Sequence, residues 1–210
     1  MTLLRKWLIA LCVPFSTHTM ATDAVDSLLQ QLQSMDNFQA MFVQTTRDPT
    51  GAVLQQMRGE LIVERPGKMR WETEEPFAQL VVSDGTLLWI YDTDLEQVTI
   101  RSMGQRIQET PALLLSGDAS EIRDGFTVSM TKMDDVVRYR LTPNDNSQLF
   151  EALQFSYRAQ RLSAMTIDDA TGQVTEITFR QQTVNATLPE HTFLFEVPEG
   201  VDIIDARNAR

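Results

Sequence analysis

From residue 36 onward, apolar and polar side chains in this sequence alternate nearly one for one, and they do so for most of the chain. A period of two sends successive side chains to opposite faces of an extended strand, so a chain patterned this way must build a large sheet with one apolar face. The segments 38–47 (FQAMFVQTTR), 53–64 (VLQQMRGELIVE), 68–73 (KMRWET), 77–83 (FAQLVVS), 86–92 (TLLWIYD) and 96–102 (EQVTIRS) are successive strand candidates. The turns between them, DPTG, RPG, TEEP, SDG and DTDL, are short enough to make sequence neighbours antiparallel partners. After a lapse over about 105–120, the segments FTVSMTKM, VVRYRLT, LFEALQFSY, RLSAMTIDD, QVTEITFRQQ and TFLFEV resume the pattern. The expectation is a mainly β protein, one strongly curved antiparallel sheet of about eleven strands.

Such a sheet needs cover, and only two stretches can supply it. Val25, Leu28, Leu29 and Leu32 fall at i, i+3, i+4 and i+7, the apolar stripe of a helix that Asp23 is placed to cap. Pro111 is a suitable first-turn residue for a short apolar helix through Leu113, Leu114 and Leu115, with Gly117 as its stop. The alternation offers Phe38, Phe42, Met57, Leu61, Met69, Trp71, Trp89 and Tyr91 as large residues for the concave face. A slip of one residue in any strand would send that strand's set to the other side. Ten methionines would suit a surface that repacks around variable cargo, although the same residues could also fill a closed core.

The first two dozen residues read differently. MTLLRK is basic, WLIALCVPF is apolar but too short to span a bilayer, and Thr19-Met20-Ala21 is a small-residue cleavage site. The expectation is a signal peptide, 1–21, cut after Ala21, and a single exported domain, 22–210, located in the periplasm. The one cysteine, Cys12, lies mid-core behind Leu11, so it makes a poor lipidation site and leaves with the signal. Residues 1–21 contain Arg5 and Lys6 but no acid, so processing takes the net charge from −11 to −13. That charge disfavours nucleic acid and anionic lipid surfaces as partners.

Catalytic constellations are scarce. Past the signal there is one histidine, His191, and no cysteine, G-x-S-x-G or phosphate-binding glycine loop. Ser129-Met-Thr-Lys132 matches S-x-x-K, but in a strand pattern rather than at the start of a helix. Asp92, Asp94 and Glu96, and separately Asp168 and Asp169, fall in hairpin turns where aspartate is favoured for backbone reasons, and they lack the spacing of a calcium loop. The expectation is no enzyme, no catalytic residue, no metal and no cofactor.

An ordered set of residues resembles a known family. Phe38-x3-Phe42-x-Gln44, Gly59, Arg65-Pro66 with Trp71 beyond it, Val82-Ser83-Asp84-Gly85, Leu88-Trp89-Ile90-Tyr91, Glu96-Gln97-Val98 and Phe193-x-Phe195-x-Val197-Pro198-x-Gly200-Val201 are similar to the pattern of the LolA family, the carriers of outer-membrane lipoproteins. The resemblance implies an unclosed half-barrel whose hydrophobic cavity is covered by a helical lid, formed by the two helical stretches above. It implies acylated lipoproteins as cargo, an inner-membrane ABC transporter, LolCDE, as donor, and the receptor LolB as acceptor. The carrier is expected to act as a monomer. It further implies that Arg65 latches the lid, and that Met69 replaces an aromatic residue at the cavity mouth, with Lys68 and Arg70 making that rim basic. An arginine paired with Glu64 across the turn is the plainer alternative. A periplasmic lipid-binding sensor of the same fold, like RseB but without its second domain, is the alternative function.

Overall fold

The computed structural model describes residues 19–74, 76–103, 111–145 and 149–207. Most of the expected signal peptide lies outside these residues. Its last three, 19–21, form the first turn of helix α1 (Thr19–Gln33), which therefore starts upstream of Asp23 and holds that residue inside the helix rather than at its cap.

Six strands follow: β1 (Asn37–Arg47), β2 (Val53–Glu64), β3 (Lys68–Thr73), β4 (Gln79–Asp84), β5 (Leu87–Asp92) and β6 (Gln97–Ser102). A 3-10 turn, Pro111–Leu115, and helix α2 (Ala119–Gly125) lead to β7 (Phe126–Met133), β8 (Val136–Pro143), β9 (Phe150–Arg158), β10 (Arg161–Asp169) and β11 (Val174–Val184). A short β12 (Asp202–Asp205) ends the described chain. All twelve strands join one sheet in the order β12-β6-β5-β4-β3-β2-β1-β11-β10-β9-β8-β7. The sheet is thus two antiparallel meanders joined along β1 and β11, where Phe42 faces Phe179 and Gln44 faces Ile177. It is left open between β12 and β7.

That order explains the lid. The chain between β6 and β7 must travel from one side of the opening to the other, and its described part contains both the 3-10 turn and α2. Helix α1 lies beside β7 and α2. Ser27 Oγ is 2.7 Å from the Tyr139 hydroxyl on β8, and Arg123 of α2 pairs with Asp26 at 2.7 Å. Leu28, Leu29, Leu32, Leu113 and Leu114 are buried against the concave face, and Val25 is packed partly buried against it.

Two sequence expectations fail in the C-terminal segment. The stretch TFLFEV is not a strand: Thr192 and Phe193 lie in a turn and the residues after them are irregular. The terminal strand is instead β12, which runs parallel to β6 with Asp202 opposite Gln97 and Asp205 opposite Ile100. Four residues with no alternation carry too little pattern to be read as a strand, and TFLFEV alternates because Phe193 and Phe195 are packing anchors. Helix α2 adds a further helical element that the apolar pattern does not signal, although Asp118 and Glu121 form a capping box: Ser120 N–H donates to Asp118 Oδ1 at 2.8 Å, and Glu121 Oε2 accepts from Asp118 N–H at 3.2 Å.

Candidate functional site

The register fixes which side chains face inward. Across the first meander Ala40 pairs with Leu61, Leu61 with Trp71, Trp71 with Val81 and Val81 with Ile90, so these residues share one face. On the second meander Ile177 pairs with Met165, Met165 with Phe155 and Phe155 with Tyr139. Phe38, Phe42, Leu61 and Met69 are buried on this face, and Met57 and Trp71 are half-buried on it.

Trp89 and Tyr91 are not in the cavity. Trp89 pairs with Val82 and Ile100 on the convex face, where its ring stacks 6.0 Å from Phe195, and Tyr91 lies 6.3 Å from the same ring. The inward residues of β5 are Leu88 and Ile90. Bulk favoured the aromatic pair, but the C-terminal segment gives the convex side a small core of its own, with Val82 and Val98 fully buried.

A channel runs along the concave face. Its inner part, about 310 Å3, is walled by Met69, Trp71, Val81 and Ile90 on one side and by Met165, Ile167 and Ile177 on the other, with Ala112 of the lid above. Gln44, Trp71 and Gln79 also border an outer part of about 390 Å3, reached past Gln55, Met57, Phe77, Asp92 and Asp94. Phe42 lies against Trp71 with ring centroids 4.3 Å apart. Gly59 makes this possible: a β-carbon there would collide with the Glu72 carbonyl oxygen and stand 2.8 Å from the Phe42 ring.

At the far end from this opening, Arg65 ties both helical covers to the sheet. Its Nη1 donates to the Gly117 carbonyl at 2.6 Å, its Nη2 to the Leu115 carbonyl at 2.9 Å and its Nε to the Leu32 carbonyl at 3.3 Å. Leu32 is in the last turn of α1 and Leu115 ends the 3-10 turn. Carbonyls at helix C-termini have no intrahelical donor, and the rigid fork of a guanidinium can serve several at once. The carbonyl between those of Leu115 and Gly117, Ser116 O, accepts from Gly67 N–H at 2.8 Å.

The turn beneath is braced. The Arg65–Pro66 peptide is cis, Gly67 has φ of +69°, and the buried Ser83 hydroxyl donates to Gly67 O at 2.8 Å while accepting from Gly85 N–H. The Glu64 alternative fails, because Glu64 takes Lys68 at 2.6 Å instead. Arg70 is matched by Glu72 at 2.8 Å, so the rim is not the basic edge that its sequence suggests. Met69 is fully buried in the cavity wall rather than at the mouth.

Burial lowers the Arg65 value below the usual guanidinium range, and Tyr157, Asp118 and Asp36 oppose that shift; the group stays cationic. Burial pushes the Tyr157 phenol upward, Tyr139 adds to the shift and Arg65 opposes it. Among the described residues the buried Tyr157 hydroxyl has no hydrogen-bond partner, a feature that the sequence does not signal.

The other candidates resolve into scaffolding. Ser129 and Lys132 lie on opposite faces of β7, Asp168 pairs with Arg140 at 2.6 Å, and Asp169 and Asp92 accept backbone N–H groups within their own turns. Among the described residues no cluster of three His, Cys, Asp or Glu side chains is placed to hold a metal.

The profile of the family described as "Outer membrane lipoprotein carrier protein LolA" matches residues 33–196, which span every described element from the end of α1 to the C-terminal phenylalanines. The chain belongs to the LolA family. A family protein from Chromohalobacter salexigens, named outer-membrane lipoprotein carrier protein, is 39% identical over 95% of this chain and 96% of its own length. One from Pseudomonas aeruginosa with the same name is 41% identical over 89% and 90%. Among solved structures, a LolA superfamily protein from Nitrosomonas europaea aligns with a TM-score of 0.50 at 16% identity, covering 82% of this chain and 98% of its own, which supports the fold. The overall fold is therefore shared, and the Arg65 clasp and the channel are placed on it.

Proposed function

We propose that this protein is a periplasmic carrier that shields the acyl chains of lipoproteins between an inner-membrane ABC transporter, LolCDE, and the outer-membrane receptor LolB, with Arg65 as the latch of its lid. The names of its relatives support the carrier role. The observation that carries the latch is one guanidinium donating to both helical covers above an apolar concave face.

The lid has to move. The inner channel, about 310 Å3, stands at the lower end of the roughly 300–1,000 Å3 that hold a drug-sized ligand, so three acyl chains cannot enter the closed form. Burying methylenes is worth about 0.8 kcal/mol each, which makes release into water very slow and requires transfer from cavity to cavity. Opening the lid costs the Arg65 hydrogen bonds, and that cost raises the free energy of the loaded state. It therefore favours unloading. With about 1–3 kcal/mol at stake, Arg65→Leu is expected to hold cargo about 5- to 150-fold more tightly.

The test is release of a triacylated lipoprotein from spheroplasts into a soluble one-to-one complex. Wild type is expected to release and pass on its cargo; Arg65→Leu is expected to release it and fail to pass it on. Equal onward transfer by both proteins would remove the latch and keep the carrier. No release by folded wild type, with free lipid bound instead, would favour a lipid-binding sensor.

A further inference from the structure

Both parts of the channel are open to solvent while the Arg65 clasp is closed, and the wall changes character from one part to the other. The inner part is apolar apart from the amides of Gln44 and Gln79. Those two residues form the neck shared with the outer part, and among the described residues neither side-chain amide has a hydrogen-bond partner. The outer part is bordered by Asp92 and Asp94, which follow the inward-facing Ile90 at the end of β5. Asp92 uses one oxygen on Leu95 N–H at 3.0 Å, which leaves the other available to the mouth. Neither part is lined by a lysine, arginine or histidine.

The inner channel, about 310 Å3, has room for one acyl chain of medium length without the lid opening. Its head group would then lie at the glutamine neck, beside two carboxylates and no cation. An ester, amide or hydroxyl head can exchange hydrogen bonds with free amides, which donate and accept. A carboxylate or phosphate head meets only like charge there, in a partly desolvated cleft where repulsion is poorly screened. We infer that the lid-closed protein binds one single-chain lipid with an uncharged, ester- or amide-linked head, and that Asp92 and Asp94 turn away fatty-acid and phospholipid anions. This rests on reading the concave face as an acyl site, and it adds a charge filter at the entrance. Such a filter would keep the cavity clear for cargo whose acyl chains hang from neutral linkages.

The experiment is calorimetric titration of the purified protein with 1-monodecanoylglycerol and with decanoate, both below their aggregation thresholds, at pH 8 and low salt. Monodecanoylglycerol is expected to bind about fivefold or more tightly than decanoate, the size of a like-charge penalty across a wet cleft. Asp92→Asn with Asp94→Asn is expected to bring the two affinities together by tightening decanoate alone. Ile177→Trp, checked for folding by circular dichroism, is expected to fill the inner channel and abolish both.

Equal affinities in wild type, an unchanged ratio in the double variant, or no binding of either probe would each overturn the inference. Lipoprotein release by the same preparation separates this result from the carrier reading. Release without the preference discards the filter alone. The preference without release keeps the filter and discards the carrier.

Discussion

Gly59 and Tyr157 show at single residues what the cavity requires of its wall. Gly59 sits under the Phe42 ring and against the Glu72 carbonyl, so Gly59→Ala is expected to destabilise the fold by about 2–3 kcal/mol, read as a lower urea midpoint at an unchanged slope. Tyr157 has the opposite sign. A buried hydroxyl without a partner costs free energy in the closed state, so Tyr157→Phe is expected to raise stability by up to about 1 kcal/mol in the same measurement. Neither effect is visible in the sequence, where Gly59 is a weak residue in a strand and Tyr157 an ordinary inward aromatic. Arg65 was legible as an unusual charge beside an apolar face, but its three acceptors come from positions 32, 115 and 117, and no local pattern connects those to 65.

Among the elements, α2 depends on a capping box in which two carboxylates are displaced in opposite directions. Backbone and hydroxyl hydrogen bonds from Ser120 hold Asp118 below its ordinary 3.8, while burial raises Glu121 above its ordinary 4.5. A lowered carboxylate contributes stability above its unfolded value and loses it as pH falls through the folded one. The Asp118 contribution is thus complete at neutral pH and lost in strong acid. Glu121, being raised, favours the protonated side, and its contribution is lost as pH rises through its folded value. Carboxyl titration by NMR is expected to place the two midpoints on opposite sides of those ordinary values, and an Asp118→Ala variant is expected to exchange the first amides of α2 faster. Strands β1 to β11 were readable to within a residue or two because alternation is a local property, whereas TFLFEV and β12 were not. The face of β5 was not, since a sheet read as solvent-backed gives no reason to point Trp89 and Tyr91 outward; the reason is Phe195, more than a hundred residues later.

For the whole molecule, the long pairings of β1 with β2 and β11 form the centre, whereas the cover is attached through a few carbonyls and apolar side chains. Hydrogen exchange is expected to be slowest in β1, β2 and β11 and markedly faster over 112–117, with Arg65→Leu accelerating only the latter. The half-barrel itself could be read from the alternation together with the resemblance. The crossing of its opening by the β6–β7 connection could not, because that follows from strand order.

Strand order also sets a timetable. A chain emerging N-terminus first can fold the six-strand meander β1–β6 through neighbouring hairpins. The second side of the cavity does not exist until β7 to β11 have emerged and β11 has found β1, a partner well over a hundred positions back. During that interval the apolar wall of the first meander faces water. The last joint to form is slow by topology, and the half-made molecule presents the sticky face that the finished one hides. On the proposed function, a protein that shelters the greasy ends of others thus needs shelter itself at the start of its life.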